Sequence, residues 1–531
     1  MKTLEKINYR IFQLFDLFRW MFSVRNFLIK DSINKKKNVA FVELCTMSVT
    51  VRVNCLLALA LNKENYNIFV ILKEKSLYIE LFYKLIGVKN FIYLGNKNDT
   101  SVRKNAELLF LKLNSSKKFL NFIFQSIAIG KFIGSRILMN SKSGTFRLKD
   151  IDSDVLINHL YESLLHLKNF EKVLLKTPFE LMIFNERGYS PVGEIFESAL
   201  KKKIKCVQWF GSPLDNHNCF KGYNWNNRKD HPLTLSKYTF QKLLNLNKKN
   251  KFAHKILQHL ENHYHSGKWF NRQNLQINKK IFSKIELKKI LGISNDNKIC
   301  VIFTHIFDDA TFFYGKDLFE SYEDWLKNII YKIKELNNIN WIIKVHPANM
   351  LKSNYSLEEK LLDRIIKIIP NHIKIVRPNT PINTFSFFGS IDYGLTVRGT
   401  VGCELACYGI PVITAGNGRY SGEGFTIDPK SKEEFYKYIE NLGKIEKLNK
   451  HKINLAQVYT YGSLVCRSIK MHGINIKYTP EQFIKNNLIK VPKDQDDLMS
   501  KYDISKFISW VKNDIKYDLI ELNENEISKN I

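Results

Sequence analysis

Apolar residues fall along this chain in two alternating rhythms. Short continuous runs, such as 39–44 (VAFVEL) and 67–72 (NIFVIL), suit buried strands, and the stretches between them carry apolar residues at helical spacing. From Lys37 the order reads strand 39–44, helix 49–61, strand 67–72, helix 76–86 and strand 90–94. Such alternation predicts βαβ units and a parallel sheet. Residues 106–176 read as mostly helical. The apolar run 119–130 (FLNFIFQSIAIG) is expected to be a buried helix, being shorter than the roughly 20 residues that span a membrane. The sheet resumes with strand 179–184, helix 191–201 and strand 204–210. From Ser212 a polar stretch rich in Asn, His and Lys reads as turns, followed by a helix from Tyr238 to His265.

A second alternating series begins after a helix at 280–291 that Gly292 closes. It runs strand 298–304, helix 324–336, strand 340–345, helix 357–369, strand 372–376, a short helix at 383–388, strand 391–397, helix 401–408 and strand 411–415. A glycine-rich loop, 416–424, and a helix at 432–442 follow. The tail carries one helical piece at 504–515 and otherwise little pattern. The chain therefore reads as α/β with two doubly wound halves. The expected division is an N-terminal amphipathic helix over 1–35, one α/β domain over 36–275, a second over 276–460 and a helical tail over 461–531.

Composition agrees with large cores, since 44% of the 531 residues are hydrophobic. The formal charge of +31 points to anions or a lipid surface, although Lys, Asn and Ile are abundant in every loop and the charge can be compositional bias alone. The eight cysteines are scattered without metal-ligand spacing, so reduced thiols and no metal centre are expected. The N-terminus lacks the pattern of a secretory leader, which predicts a cytoplasmic protein. Residues 7–28 pair apolar positions at helical spacing with Arg10, Arg19 and Arg25. This helix can lie on the inner face of a membrane or dock on its own domain, and docking is the expectation.

Chemistry in an open parallel sheet gathers outside the carboxyl ends of the strands. In the second half those ends deliver His305 with Asp308 and Asp309, then Lys344 and His346 beside Pro347, then Arg398, Gly399, Thr400 and Val401. The Gly-Thr turn lets the backbone approach an anion and offers N–H groups at a helix start, while Thr400 can equally serve as an N-cap. Glu404, one turn on, suits ribose hydroxyls or base N–H groups, or merely complements the helix dipole. Arg398 and Arg419 suit bidentate contact with phosphate or carboxylate, Gly418 belongs to the same loop, and Tyr420 offers a stacking face. Two histidines after two strands suit proton exchange or donation to a leaving phosphate. In the first half Glu186 and Arg187 follow a strand in the corresponding place.

Residues 304–326 (THIFDDATFFYGKDLFESYEDWL), 341–347 (WIIKVHP) and 399–425 (GTVGCELACYGIPVITAGNGRYSGEGF) resemble capsule polysaccharide biosynthesis proteins, bacterial glycosyltransferases of GT-B architecture. Residues 185–200 and 207–213 are similar to the same group. The resemblance implies two Rossmann-like domains facing across a cleft, the first for the acceptor and the second for a nucleotide-sugar co-substrate, with no tightly bound cofactor. It implies that His346 and the Gly399-Thr400 turn contact the donor phosphates and Glu404 the ribose or base. Related enzymes that use CMP-sugars also carry a His-Pro pair, so CMP-linked donors stand beside UDP-linked ones. The expected acceptor is a growing surface polysaccharide or lipid-linked saccharide, with Glu186 or Asp308 as its base and no nucleic-acid partner. A CDP-glycerol-type glycerophosphotransferase using His305 and His346, a sugar-nucleotide epimerase of the same fold, and a non-catalytic anion- or membrane-binding scaffold remain open alternatives.

Overall fold

The computed structural model describes residues 2–29, 37–44, 48–95, 98–141, 143–214, 216–247, 250–267, 275–309, 311–351, 356–473, 475–476, 489–513, 515 and 518–522. The chain divides into two compact units. Unit 1 comprises 1–133, 148–228 and 467–531; unit 2 comprises 134–147 and 229–466. The division therefore falls before the helices Lys237–Leu246 and Lys251–His265, which belong to unit 2 rather than to the first α/β half, and the tail belongs to unit 1.

Unit 1 is built on β1 (Lys37–Glu43), β2 (Tyr66–Leu72), β3 (Asn90–Tyr93), β4 (Leu181–Phe184), β5 (Lys205–Gly211) and β6 (His217–Tyr223). The sheet order is β6-β5-β4-β1-β2-β3, with a two-residue strand, Ile469–Lys470, outside β6. Strands β1 to β5 run parallel, and Phe41 of β1 lies opposite Val70 of β2 and Ile183 of β4. Apolar residues in unbroken runs suit this sheet because both faces are covered. Val39 and Phe41 join a core with the helix Ser48–Lys63, and the alternate positions Ala40 and Val42 join another with Phe170 and Ile195. The N-terminal helix, Lys2–Val24, docks on the first of these cores through Trp20 and Val24. Asp16 fastens it by accepting from Tyr78 at 2.7 Å and pairing with Arg52.

Two stretches depart from the pattern. The run 119–130 is not a helix: Ser116–Leu120 ends, the chain turns through Gln125 and Ser126 at positive φ, and a new helix starts at Ile129. The turn folds the backbone so tightly on itself that a Cβ on Gly130 would lie 1.8 Å from the Phe119 carbonyl oxygen. The polar stretch after Ser212 hides β6, which pairs antiparallel with β5. Its polar residues are covered by the tail: Lys221 is buried 3.9 Å from Asp518, and a Cβ on Gly222 would meet the Ile515 carbonyl at 1.5 Å.

Unit 2 carries β7 (Ile299–Phe303), β8 (Asn340–Lys344), β9 (Ile373–Val376), β10 (Tyr393–Thr396) and β11 (Val412–Thr414), all parallel in the order β11-β10-β7-β8-β9. The chain winds from β7 outward to β9 and then returns to β10, so the order reverses between β7 and β10. That reversal opens a crevice at the carboxyl ends of these two strands. The helix Lys450–Tyr461, which the sequence pattern missed, packs against the short helix Val401–Cys407, with Gln457 donating to the Cys407 carbonyl at 3.1 Å.

Candidate functional site

His305 leaves the end of β7 and turns its ring to the loop after β10. Its Nε2 accepts the N–H groups of Val397 and Arg398, each at 3.2 Å, and lies 3.1 Å from Thr396 Oγ1. The other ring nitrogen therefore holds the proton of the neutral tautomer. The ring stacks on Tyr322 at 4.5 Å between centroids. Burial, then the positive charge of Arg419 and the neighbouring His346 and Arg398, hold its pKa well below the ordinary histidine value. His305 is thus a neutral clasp between two strand ends.

This clasp determines what the Gly-Thr turn can offer. The Gly399 N–H donates to Thr396 Oγ1 at 3.1 Å, and those of Gly402, Cys403 and Glu404 bond back to the carbonyls of Gly399 and Thr400. Thr400 and Val401 keep the N–H groups that the turn does not itself consume. The side chain of Thr400 makes no capping bond, and its backbone is already helical. The turn is closed from the other side by Tyr420, whose hydroxyl donates to the Gly399 carbonyl at 2.6 Å. Tyr420 is buried, so it is a strut for the turn rather than a stacking face for a base. It needs Gly402 opposite it, because a Cβ there would stand 2.0 Å from the Tyr420 hydroxyl.

The two arginines have opposite fates. Arg398 is buried and spends its guanidinium on the chain, donating to the Tyr314 carbonyl and to Asp317. Against the cost of burial, Asp317 keeps it charged, with its pKa above the usual value. It anchors the loop after β7 instead of presenting a free fork. Burial lowers the pKa of Arg419, and the acid that feels its charge is Glu404, which forms no direct ion pair with it. The Arg419 Nε has no partner, and its Nη2 faces His231 Nε2 at 3.2 Å. The loop that carries it is pinned at Gly418, whose carbonyl accepts from the His231 N–H at 3.1 Å and from Thr234 at 2.5 Å. Gly418 has φ +132, a region that favours glycine.

His346, at the end of β8, donates its backbone N–H to Thr304 at 3.0 Å and accepts the Ala348 N–H on Nδ1 at 3.2 Å. Nε2 then carries the neutral ring's proton and is a donor. Lys344, two residues earlier, is only 4% exposed. Burial and the neighbouring Lys279 lower its pKa to about 7, and no acid contributes. Lys279 lies beside the end of β9, where it donates to the Pro378 carbonyl at 2.7 Å, and burial lowers its pKa to about 8. Two lysines thus share one enclosed place without an acidic neighbour acting on Lys344.

Glu404 is turned into the core, where Oε2 accepts the Tyr264 hydroxyl at 2.6 Å and burial raises its pKa. Val401 is buried in the same apolar cluster as Tyr264. Asp308 sits half-buried in the turn after His305. Glu186 lies in unit 1, at the end of β4, where that sheet also reverses its order. Its Oε1 accepts the N–H groups of Arg187 and Gly188, both at 2.7 Å. Arg187 is fully buried, bound to Gln208 and the Arg228 carbonyl and set 3.9 Å from the Tyr223 ring centroid, so it braces this loop.

The structure therefore gathers His305, His346, Arg398, Gly399, Thr400, Gly418, Arg419 and Tyr420 around the β7–β10 crevice, sets Lys344 with Lys279 toward β9, and places Glu404 beneath. Sequence reasoning missed His231, Asp317, Tyr264 and Lys279. Only His231 carried a signal, a second His-Pro pair at 231–232.

Residues 229–455 match the family model described as capsule polysaccharide biosynthesis protein. No curated protein matches the chain in sequence. Among solved structures, the beta Kdo 2,4 transferase KpsC of Thermosulfurimonas dismutans is 14% identical, covering 55% of this chain and 87% of its own, with a TM-score of 0.34. The beta Kdo 2,7 transferase KpsC of the same organism is also 14% identical, covering 61% and 86%, with a TM-score of 0.32. A glycosyltransferase from Rickettsia africae is 10% identical, covering 81% and 93%, with a TM-score of 0.27. No residue role follows from likenesses of that size.

Proposed function

We propose, with residues 229–455 belonging to the capsule polysaccharide biosynthesis family, that the chain is a glycosyltransferase. It moves a sugar from a CMP- or UDP-linked donor to a growing capsular polysaccharide or a lipid-linked saccharide. The observation that carries this reading is Arg419, a half-buried guanidinium that forms no ion pair and leaves its Nε without a partner, beside His231 and His305 at the crevice of unit 2. Such a group is complementary to an anion that arrives with the substrate and gains charge as the glycosidic bond breaks.

In this scheme the donor phosphate lies against Arg419, the Nε2–H of His346 and the N–H groups of Thr400 and Val401. The Lys344–Lys279 pair takes a second part of the nucleotide. An acceptor hydroxyl attacks the anomeric carbon, its proton passes to Glu186 or Asp308, and the bond to the phosphate oxygen breaks with the electrons leaving on the nucleotide. His305, already committed to the backbone, holds the turn in shape.

The test is thermal stabilisation by a panel of CMP-, UDP-, GDP- and CDP-linked compounds, followed by product analysis with the stabilising donor. Stabilisation by a nucleotide-sugar, lost in Arg419→Ala, supports the reading. Release of CMP from CDP-glycerol with no sugar nucleotide consumed would replace it with glycerophosphate transfer. Indifference to the whole panel would sink both.

A further inference from the structure

We propose that the N-terminal helix seats unit 1 on an anionic lipid surface. The inference is independent of the donor-site reading, because the helix shares no residue with that site. The helix Lys2–Val24 has two apolar faces. One is spent on the core through Trp20 and Val24, with Trp20 Nε1 donating to the Phe82 carbonyl at 3.1 Å. The other carries Ile11, Leu14, Phe15, Phe18, Met21 and Phe22, all exposed, with Phe15 at 65% and Phe22 at 64%. Their spacing of three and four residues makes one continuous stripe. Docking on the fold therefore leaves a second hydrophobic face with no occupant among the described residues.

Charge selects the occupant. Arg19 on this helix and Arg25 in the turn directly after it are both exposed. Asp16, the acid among the helix's described side chains, is buried and turned inward to Arg52 and Tyr78. An aromatic stripe edged by arginines, with its acid withdrawn, matches a helix lying in the headgroup region of an anionic bilayer. Among the described residues no helix is long and apolar enough to cross a membrane, so the helix lies in the surface plane. A second copy fits less well, because a two-fold contact would set the arginines of one stripe against those of the other.

The experiment is flotation of the full chain with vesicles of phosphatidylglycerol and phosphatidylethanolamine, against vesicles of phosphatidylcholine alone. The wild type is expected to float with the first and at least fivefold less with the second. Phe15→Glu with Phe18→Glu should lower flotation at least tenfold, as should Phe22→Glu alone to a smaller extent. Ile285→Glu, at a residue 82% exposed in unit 2, should leave flotation unchanged. Arg19→Glu with Arg25→Glu should erase the preference for the anionic vesicles. Nucleotide stabilisation of the Phe15/Phe18 variant should match the wild type, which separates failure here from failure of the donor site. A wild type that does not float overturns the proposal. So does a Phe15/Phe18 variant that floats like the wild type, since the chain's general positive charge would then be the attraction. A wild-type dimer by light scattering that becomes monomeric in the variant, with no flotation, assigns the face to a second copy instead.

Discussion

The Nη2 of Arg419 stands 3.2 Å from Nε2 of His231, a ring whose Nδ1 already faces the Leu233 N–H at 3.0 Å. A neutral imidazole accepts at one nitrogen only, so two donors compete for one acceptor. Arg419 is accordingly held in place without being neutralised or fully bonded. Replacing it with Ala should weaken donor binding by roughly tenfold to a hundredfold, the size of a charge-assisted hydrogen bond. Stability should fall little, because the half-buried guanidinium removed forms no ion pair and keeps one contact, to His231. Calorimetric titration and thermal melting of the same variant check both halves.

His305 and His346 should separate cleanly. His305→Ala removes the acceptor of two enclosed N–H groups and should cost about 2–4 kcal/mol in denaturant unfolding. His346→Ala should cost little stability and instead reduce nucleotide affinity. The pKa of His305 is depressed on folding, so its contribution to stability is complete above the ordinary histidine value and is lost as pH falls below it. Wild-type stability should therefore decline on the acid side with a component that His305→Asn removes.

Lys344 gives a second pH signature. Its folded pKa of about 7 lies below the ordinary 10.5, so between these values the unfolded chain holds the proton and the folded chain does not. Stability from this group therefore rises as pH increases through that window. An anion bound beside Lys344 reverses the balance and draws a proton in. Donor binding near pH 8 should take up close to one proton, weaken as pH rises, and lose this coupling in Lys344→Met. Titrations in buffers of different ionisation enthalpy measure the uptake directly.

Gly402→Ala should destabilise unit 2 by about 1–3 kcal/mol, because its new methyl would meet the Tyr420 hydroxyl, which is fixed on Gly399. Tyr420→Phe alone should cost about 1 kcal/mol. The two effects should not add, since the first variant already breaks the bond that the second removes. A double-mutant cycle in denaturant decides this.

Asp317→Ala should be the more damaging change at the loop after β7, costing about 3–5 kcal/mol. It strands the buried Arg398 guanidinium without its counter-charge. Urea unfolding of this variant and of Asp317→Asn measures the loss.

The alternation of strands and helices was readable because both sheets are parallel and covered on both faces, which writes Val39–Val42 and Ile299–Phe303 as unbroken apolar runs. The loops at the carboxyl ends were readable for the same reason, and with them the positions of His305, His346 and the Arg398 turn. What each side chain does there was not, since the deciding partners lie far along the chain. Asp317 fixes Arg398, His231 faces Arg419, and Tyr264 takes Glu404. Strand β6 escaped because its polarity is answered by the tail, from Arg467 onward, and the turn at 119–130 because a backbone contact at Gly130, not periodicity, ends the helix.

That tail has a kinetic meaning as well. Ile469 pairs with Asn218 of β6, and Phe507 and Val511 enter the core that holds β1, so unit 1 is completed by a stretch synthesised after the whole of 229–466. Until then Trp209 and Phe220 lack part of their cover, while the segment 229–466 has already been released and can fold. Nascent unit 1 thus waits with an open sheet edge through the synthesis of its partner, which makes it the half most in need of a chaperone and the half that any C-terminal truncation would unmake.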